Sequence, residues 1–111
     1  MTDARIVLTT VGAEEVAQNL AEQLVERRLA ACVNIVGPVR STYRWKGVIE
    51  HEQEYLLVIK TSAEHAARMP EVFKGLHTYE LPESITIPIE DGSAEYLAWL
   101  EGEVAAAPTQ R

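Results

Sequence analysis

Cysteine, basic residues and long apolar runs are all scarce in this sequence. The single cysteine, Cys32, cannot form a disulfide bond within the chain, which is typical of proteins from a reducing compartment. No apolar run approaches the roughly 18 residues of a membrane-spanning helix. The N-terminal residues also lack the basic start and apolar core of a signal peptide. We therefore predict a cytoplasmic protein with no membrane partner.

The shortage of basic residues narrows the range of partners. Ten Lys and Arg residues stand against seventeen Asp and Glu residues, giving a net charge of −7 at pH 7. This balance disfavours nucleic acid and anionic membranes, because both attract positively charged surfaces. It suits cations or a neutral small molecule.

Motifs of catalysis are missing as well. The sequence has no GxSxG, no HExxH, no glycine-rich phosphate loop and no CxxC. Cys32 begins a predicted strand between Ala31 and Val33, where a free cysteine is more commonly a small core residue than a nucleophile. We predict that the protein is not an enzyme.

What the sequence does contain is an unusually long β-hairpin, over residues 31–61. Two arms rich in aromatic, β-branched and Thr residues flank a turn at Lys46-Gly47. Arms of about 14 residues would each run about 45 Å, whereas a domain of this length is roughly 35 Å across. Such a ribbon is marginal alone, so we expect another copy of the chain to cover it. Gly37-Pro38 interrupts the first arm, and because proline cannot donate a ladder hydrogen bond we expect a bulge or bend there. A bend that folds the hairpin back is the alternative to a covering copy.

The far part of this hairpin is highly charged. We expect its opposite charges to pair across the strands, although a simply solvated ribbon is an equal alternative. The residues concerned are Arg40, Arg44 and Lys46 on the first arm and Glu50, Glu52 and Glu54 on the second.

The remaining elements complete one domain over residues 1–111, with a frayed tail from about 105 to 111. We predict a strand over 4–11, an amphipathic helix over 13–29, a strand over 85–89 and a helix over 94–103. A capping box at Thr61-Ser-Ala-Glu64 predicts another helix, which kinks or restarts at Pro70.

This order is β-α-β-β-α-β with a C-terminal helix, an α+β arrangement whose usual solution is the ferredoxin-like plait. Some RNA-binding modules share that plait and stack bases on aromatic residues of a basic strand. The first strand here has no aromatic residue, so we exclude that function.

The loop over residues 77–83 is the candidate metal site. His77 stands close to Glu80 and Glu83, and an imidazole with nearby carboxylates can hold a divalent ion. A histidine that only forms local hydrogen bonds is the equal alternative. We expect the other two histidines, His51 and His65, to lie on a solvated surface.

A second candidate group is Tyr43, Trp45 and Lys60. An exposed tryptophan near a hairpin tip usually marks a contact site, here with a neighbouring subunit. Lys60 follows an apolar run and could hold an anion, although such a lysine more often reaches to solvent.

Several motifs, taken in order, resemble the CutA family of divalent-cation tolerance proteins over residues 6–100. They are Ala30-Ala-Cys-Val-Asn-Ile35, Ser41-Thr-Tyr-Arg-Trp-Lys-Gly47, Ile59-Lys-Thr61, His77-Thr-Tyr-Glu-Leu-Pro-Glu83 and Tyr96-Leu-Ala-Trp99. The resemblance implies a ferredoxin-like homotrimer with swapped hairpins, a cytoplasmic location, no enzymatic activity and a link to copper.

The family's known copper ligands are only partly present. Its best-known copper-binding member has a cysteine on the first strand and a His-His pair before the loop. The corresponding residues here are Thr9 and Leu76-His77, so His77 is the one ligand that the resemblance carries over.

Three functions are compatible with these features. The first is a trimeric protein of divalent-cation tolerance that binds copper or another divalent ion at His77, Glu80 and Glu83. The second is a trimeric sensor resembling the PII signalling proteins, with a small molecule at a cleft between subunits. The third is a trimeric scaffold without a ligand. The residues of such a pocket or interface would be Tyr43, Trp45, Lys60, Tyr79, Glu80 and Trp99.

Overall fold

The computed structural model describes residues 2–105, which form one antiparallel sheet and three helices. The elements are β1 (Ala4–Val11), α1 (Glu14–Glu26), β2 (Cys32–Trp45), β3 (Val48–Ser62), α2 (Ala63–Leu76), β4 (Ile85–Pro88) and α3 (Ala94–Val104). The sheet order is β2-β3-β1-β4, with every pair antiparallel. This order confirms the predicted α+β, ferredoxin-like plait. Residues 106–111, most of the predicted tail, lie outside the described part.

The core lies on one face of the sheet because the strands alternate. Val7 of β1 lies opposite Ile59 of β3, and both are fully buried. Helices α1 and α2 cover this face with apolar stripes at helical spacing. The buried residues of those stripes are Ala17, Leu20, Leu24, Ala66, Met69 and Phe73.

Helix α1 ends, and helix α2 begins, at a different residue from the one predicted. Helix α1 ends at Glu26 and not at residue 29, because Arg28 takes a left-handed backbone (φ 58°) and the Leu29 amide then bonds back to the Leu24 carbonyl. Helix α2 is capped by Ser62 rather than Thr61. The Thr61 hydroxyl instead donates to the Leu29 carbonyl over 2.7 Å.

Pro70 does not end or restart α2, which runs unbroken through it.

Helix α3 is held at its C-terminal end by two side chains from elsewhere in the fold. Arg28 Nη1 donates to the Glu103 carbonyl over 3.0 Å, and His65 Nε2 lies 2.8 Å from the Val104 carbonyl. These contacts satisfy carbonyl groups that a helix end leaves free.

The hairpin has the predicted length, with arms of 14 and 15 residues. Lys46 and Gly47 both take positive φ angles, 51° and 83°, as a tight hairpin turn requires. The register shifts by one residue between Val36 and Val39, which confirms the bulge at Gly37-Pro38. The longest dimension of the molecule is 45 Å.

The predicted charge pairs across the hairpin are wrong. Glu50, Glu52 and Glu54 lie opposite Tyr43, Ser41 and Val39. The arginines occupy the alternate positions: Arg40 faces Gln53 and Arg44 faces Ile49. The bulge explains the difference, because one extra residue moves every following side chain of β2 to the other face.

Candidate functional site

A cleft of about 720 Å³ lies between the far part of the hairpin and the loop after α2. We call it the hairpin cleft. Three aromatic side chains line it, Tyr43, Trp45 and Tyr79, and five carboxylates converge on it. The carboxylates are Glu50, Glu52, Glu54, Glu80 and Glu83. Within residues 2–105, no Lys, Arg or His lines this cleft.

The bulge in β2 determines which residues line the hairpin cleft. Continuing the register of the Val36–Leu56 pair along the strands would place Arg40 opposite Glu52. With the extra residue, Ser41 takes that position, and Tyr43 lies opposite Glu50. The bulge therefore removes the cations from the face that carries the glutamates and replaces them with a hydroxyl and an aromatic ring.

Glu54 is the most deeply buried of the five carboxylates, with 5% of its surface exposed. Tyr79 donates its hydroxyl to Glu54 Oε2 over 2.6 Å. Burial and then this hydrogen bond raise the pKa of Tyr79 far above its ordinary value, so it stays a neutral donor. Gly12 allows this arrangement, since a Cβ atom there would lie 3.1 Å from the Tyr79 hydroxyl.

Glu83 and Glu80 form the opposite rim of the cleft. Burial first, and then the negative charge of Glu54, raise the pKa of Glu83, while a hydrogen bond with Thr10 opposes the shift. Glu80 is exposed. The negative charges of Glu54 and Glu83 repel each other, and a bound cation would relieve that repulsion.

His77 lies behind the cleft and fastens the loop to β1. Its Nδ1 accepts from the Tyr79 backbone amide over 3.1 Å, and its Nε2 lies 3.0 Å from the Thr10 carbonyl and 3.2 Å from the Thr9 hydroxyl. These partners assign the proton to Nε2. Burial lowers the pKa of His77, although the Thr10 carbonyl and the Glu54 charge oppose part of the shift. Both ring nitrogens are thus engaged within the chain.

The structure brings together five of the predicted site residues, places a sixth beside them and separates two others. Tyr43, Trp45, Tyr79, Glu80 and Glu83 all line the hairpin cleft. Lys60 and Trp99 lie away from it, and His77 is adjacent.

The position of Lys60 is set by its register in β3. It lies opposite Cys32, at the end of the hairpin far from the turn, and its ammonium is 6.0 Å from the Tyr96 ring. Trp99 packs beside the same ring at 5.4 Å and is itself exposed. Lys60 and Trp99 therefore belong to a second group around α3.

Two further predictions need correction. His65 is not a surface residue: it is 7% exposed, because Nε2 bonds to α3, and its Nδ1 is buried without a partner. Cys32 is half-buried and lies outside the core cluster, so it is not the core residue we predicted. His51 is exposed, as predicted.

Sequence reasoning missed Glu50, Glu52 and Glu54 as site residues, because it assigned them to charge pairs with the arginines. The signal that could have found them was already present. A bulge at Gly37-Pro38 reverses the alternation of β2, and counting from it places Arg40 and Arg44 on the face opposite the glutamates.

Within residues 2–105, no three His, Cys, Asp or Glu side chains form a group that could hold a metal ion within one chain.

The sequence and the fold are similar to those of known proteins. The family model described as CutA1 divalent ion tolerance protein matches residues 5–103. The chain belongs to this family. A curated relative from Thermus thermophilus, named divalent-cation tolerance protein CutA, is 50% identical over 95 residues, 86% of this chain and 92% of the relative.

Solved structures of CutA1 relatives agree with the fold. The structure of CutA from Xylella fastidiosa has a TM-score of 0.90 at 38% identity and covers 94% of this chain and 100% of its own. A structure from Archaeoglobus fulgidus, named a periplasmic divalent cation tolerance protein CutA, has a TM-score of 0.87 at 36% identity and covers 92% and 99%. No helix within residues 2–105 is both long and apolar enough to cross a membrane.

Proposed function

We propose that this CutA1 chain binds divalent cations through the carboxylates of the hairpin cleft. The observation that carries the proposal is the convergence of five glutamates on one cleft that no basic residue of the described chain lines. Two of the predicted ligands, Glu80 and Glu83, are among them. Because no three such side chains of residues 2–105 form an ion site within one chain, the proposed site is completed by carboxylates of a neighbouring subunit in the proposed trimer. The proposal includes no catalytic step.

The donor chemistry bears on which ion binds. Carboxylate oxygens suit Mg²⁺, Ca²⁺ and Mn²⁺, whereas imidazole suits copper. For copper at His77, the ring would have to give up the Tyr79 amide or the Thr10 carbonyl. We therefore favour an oxygen-preferring ion over the copper site at His77, Glu80 and Glu83 that the sequence predicts.

The proposed functional form is a homotrimer in the cytoplasm. The trimer is supported by the sheet face that points away from the core. Within residues 2–105, the core stripes of α1 and α2 leave this face uncovered. This face is apolar yet half-buried or exposed, and such faces in soluble proteins mark contact surfaces. Its residues include Ile6, Leu8, Val36, Leu56, Val58, Ile85 and Ile87.

Calorimetric titration with Mn²⁺ and, separately, Cu²⁺ tests the site. We expect Mn²⁺ binding to fall sharply in the double variant Glu80→Gln/Glu83→Gln and to persist in His77→Asn. Glu22→Gln, which removes one exposed charge from α1, is the control and should bind as the parent does. Copper binding that disappears only in His77→Asn would restore the site predicted from the sequence.

A small-molecule sensor is the second candidate, and the size of the cleft favours it. Small-molecule pockets range from about 300 to 1,000 Å³, and the hairpin cleft, at about 720 Å³, is far larger than one ion needs. A ligand at 100 times its dissociation constant stabilises a protein by about 2.7 kcal/mol. Thermal shifts across a metabolite panel, with native mass spectrometry to count subunits, would detect it. A trimer that responds to neither metals nor metabolites would favour the scaffold function.

A further inference from the structure

We propose that Asp91-Gly92 is a site of spontaneous covalent modification, at which the Asp91 side chain cyclises onto the Gly92 amide and reopens as isoaspartate. The reaction is an intramolecular aspartyl isomerisation, and its product is the substrate of an isoaspartyl methyltransferase. The inference is independent of the hairpin cleft and of any ligand bound there.

The sequence singles out this one position. The chain has two aspartates, Asp3 and Asp91, and two asparagines, Asn19 and Asn34. Asp91 alone is followed by glycine, whereas the other three precede alanine, leucine and isoleucine. Glycine has no Cβ atom to hinder the approach of its own amide nitrogen to the preceding side chain, and its backbone adapts most readily to a new geometry.

The structure holds the two reacting groups together. The Gly92 amide donates to Asp91 Oδ1 over 2.8 Å. Because Cγ is bonded to that oxygen, the amide nitrogen lies beside the carbon that it attacks, and its proton points at the oxygen that leaves. Groups held close in this way react much faster than groups that must first meet. Asp91, Gly92 and Ser93 are exposed and belong to neither β4 nor α3, so the loop can close the ring.

The reaction needs only water and balances without a cofactor. The Asp91 carboxylate takes a proton from solvent, the Gly92 nitrogen forms a bond to Cγ, and the bond from Cγ to Oδ1 breaks. The carboxyl oxygen leaves as water with its own proton and the amide proton, and a succinimide ring remains. Water then adds to either ring carbonyl. Addition at Cγ restores aspartate, and addition at the main-chain carbonyl gives isoaspartate with no net change in mass.

An assembled trimer would not prevent this reaction, because it takes place within one loop. The loop also lies away from the apolar sheet face that the proposed trimer covers. The Ile89 amide donates to the carbonyl of Ala4, the first residue of β1, over 3.2 Å. Asp91 follows two residues later, beyond the paired end of the sheet.

Isoaspartate at this position would disturb the start of α3. It adds one methylene group to the main chain directly before Ser93, whose hydroxyl accepts from the Tyr96 amide over 3.3 Å and caps the helix. Gly92 also lies against Leu97, since a Cβ atom there would be 3.4 Å from Leu97 Cδ1. The longer chain cannot keep both contacts, so the isomerised protein should have a less stable α3.

Incubation of the purified full chain for several weeks at physiological temperature and mildly acidic pH tests the proposal. Isoaspartate is measured after digestion, as methyl transfer from S-adenosylmethionine by an isoaspartyl methyltransferase, and is located by peptide mapping. Asp91→Glu keeps the carboxylate but would have to close a less favourable six-membered ring. Gly92→Ala keeps the aspartate and adds a methyl group at ordinary contact distance from Leu97, so it should still fold.

Asp3 is the internal control. It is exposed like Asp91, but the next amide, that of Ala4, donates to the Thr2 hydroxyl over 3.0 Å and belongs to a buried residue. A synthetic peptide of residues 88–97 gives the rate without the fold.

We expect isoaspartate to accumulate at Asp91, with a succinimide detected as the loss of one water, and at least as fast in the folded chain as in the peptide. The product should be absent from Asp91→Glu and form several-fold more slowly in Gly92→Ala. Equal accumulation at Asp3, an unchanged rate in Gly92→Ala, or a folded chain that reacts much more slowly than the peptide would each overturn the inference.

Discussion

The Tyr79 hydroxyl donates a 2.6 Å hydrogen bond to Glu54, and this contact joins the loop after α2 to the middle of the hairpin. The two residues are 25 positions apart in the chain. Because Glu54 is almost fully buried, this donor is what makes its carboxylate tolerable in the folded state. The same contact fixes one wall of the hairpin cleft against the other.

Removing that donor should therefore destabilise the protein. In Tyr79→Phe, the buried Glu54 carboxylate loses its hydrogen bond, which costs about 1–3 kcal/mol. Denaturant unfolding measures the loss. Tyr43→Phe removes a hydroxyl from an exposed ring of the same cleft and should cost less. Combining Tyr79→Phe with Glu54→Leu should recover part of the loss, because no buried carboxylate then remains; strictly additive losses would contradict the coupling.

The fold could be predicted from the sequence because it depends on patterns within single elements. The alternation of β1, the stripe of α1 and the two arms of the hairpin each identify their own structure, and their order leaves the plait as the usual solution. The ends of the helices were harder to predict than the helices themselves. The end of α1 depends on the left-handed Arg28, and the cap of α2 on how far β3 extends.

The site was less predictable because it depends on register and on contacts between distant elements. The loop at residues 77–83 was found from its own composition, and its residues Tyr79, Glu80 and Glu83 do line one cleft together with the predicted Tyr43 and Trp45. The glutamate row was missed because one extra residue in β2 decides which side chains face it. His65 looked solvated because its partner is 39 residues away, at the end of α3.

His65 should be the histidine that matters most for stability. His65→Ala removes the hydrogen bond to the Val104 carbonyl and leaves that helix end unsatisfied, a cost of about 1–3 kcal/mol before any loss of packing. His51→Ala, at an exposed position of the hairpin, should change the free energy of unfolding by less than about 0.5 kcal/mol. Thermal or denaturant unfolding of both variants makes the comparison, and equal effects would refute the anchoring role of His65.

Stability should also depend on pH through His77. Its pKa is lowered in the folded state, so folding favours the neutral ring. The corresponding stability is fully present above the ordinary pKa of about 6.5 and is lost as the pH falls toward the lowered folded value. His77→Asn should therefore lose less stability than the parent between pH 7 and the acidic end of that window. His51→Asn should follow the parent, and an unchanged slope in His77→Asn would contradict the assignment.

Glu83 should make the stability of the protein depend on pH in the opposite direction. Its pKa is raised in the folded state, so ionisation above that value opposes folding. The penalty is absent below the ordinary pKa of 4.5 and grows as the pH rises through the folded value. Glu83→Gln should thus be more stable than the parent near neutral pH, with the difference shrinking on acidification. Glu22→Gln, at an exposed position, provides the baseline for loss of one charge.

The bulge at Gly37 controls the composition of the cleft, and it depends on the absence of a side chain there. A Cβ atom on Gly37 would lie 2.5 Å from the Tyr55 ring, closer than real contacts allow. Gly37→Ala should therefore shift the ring or the strand and destabilise the protein by about 1–3 kcal/mol.

Gly102→Ala is the matched control: it lies within α3 with no atom within 4 Å of the added carbon. It should stabilise the protein by roughly 0.5–1 kcal/mol, because alanine is the better helix former. Unfolding curves give both values, and Gly37→Ala should in addition weaken cation binding at the cleft, since Tyr43 and Trp45 follow the bulge along β2. A destabilised Gly37→Ala protein with unchanged cation affinity would separate the bulge from the site.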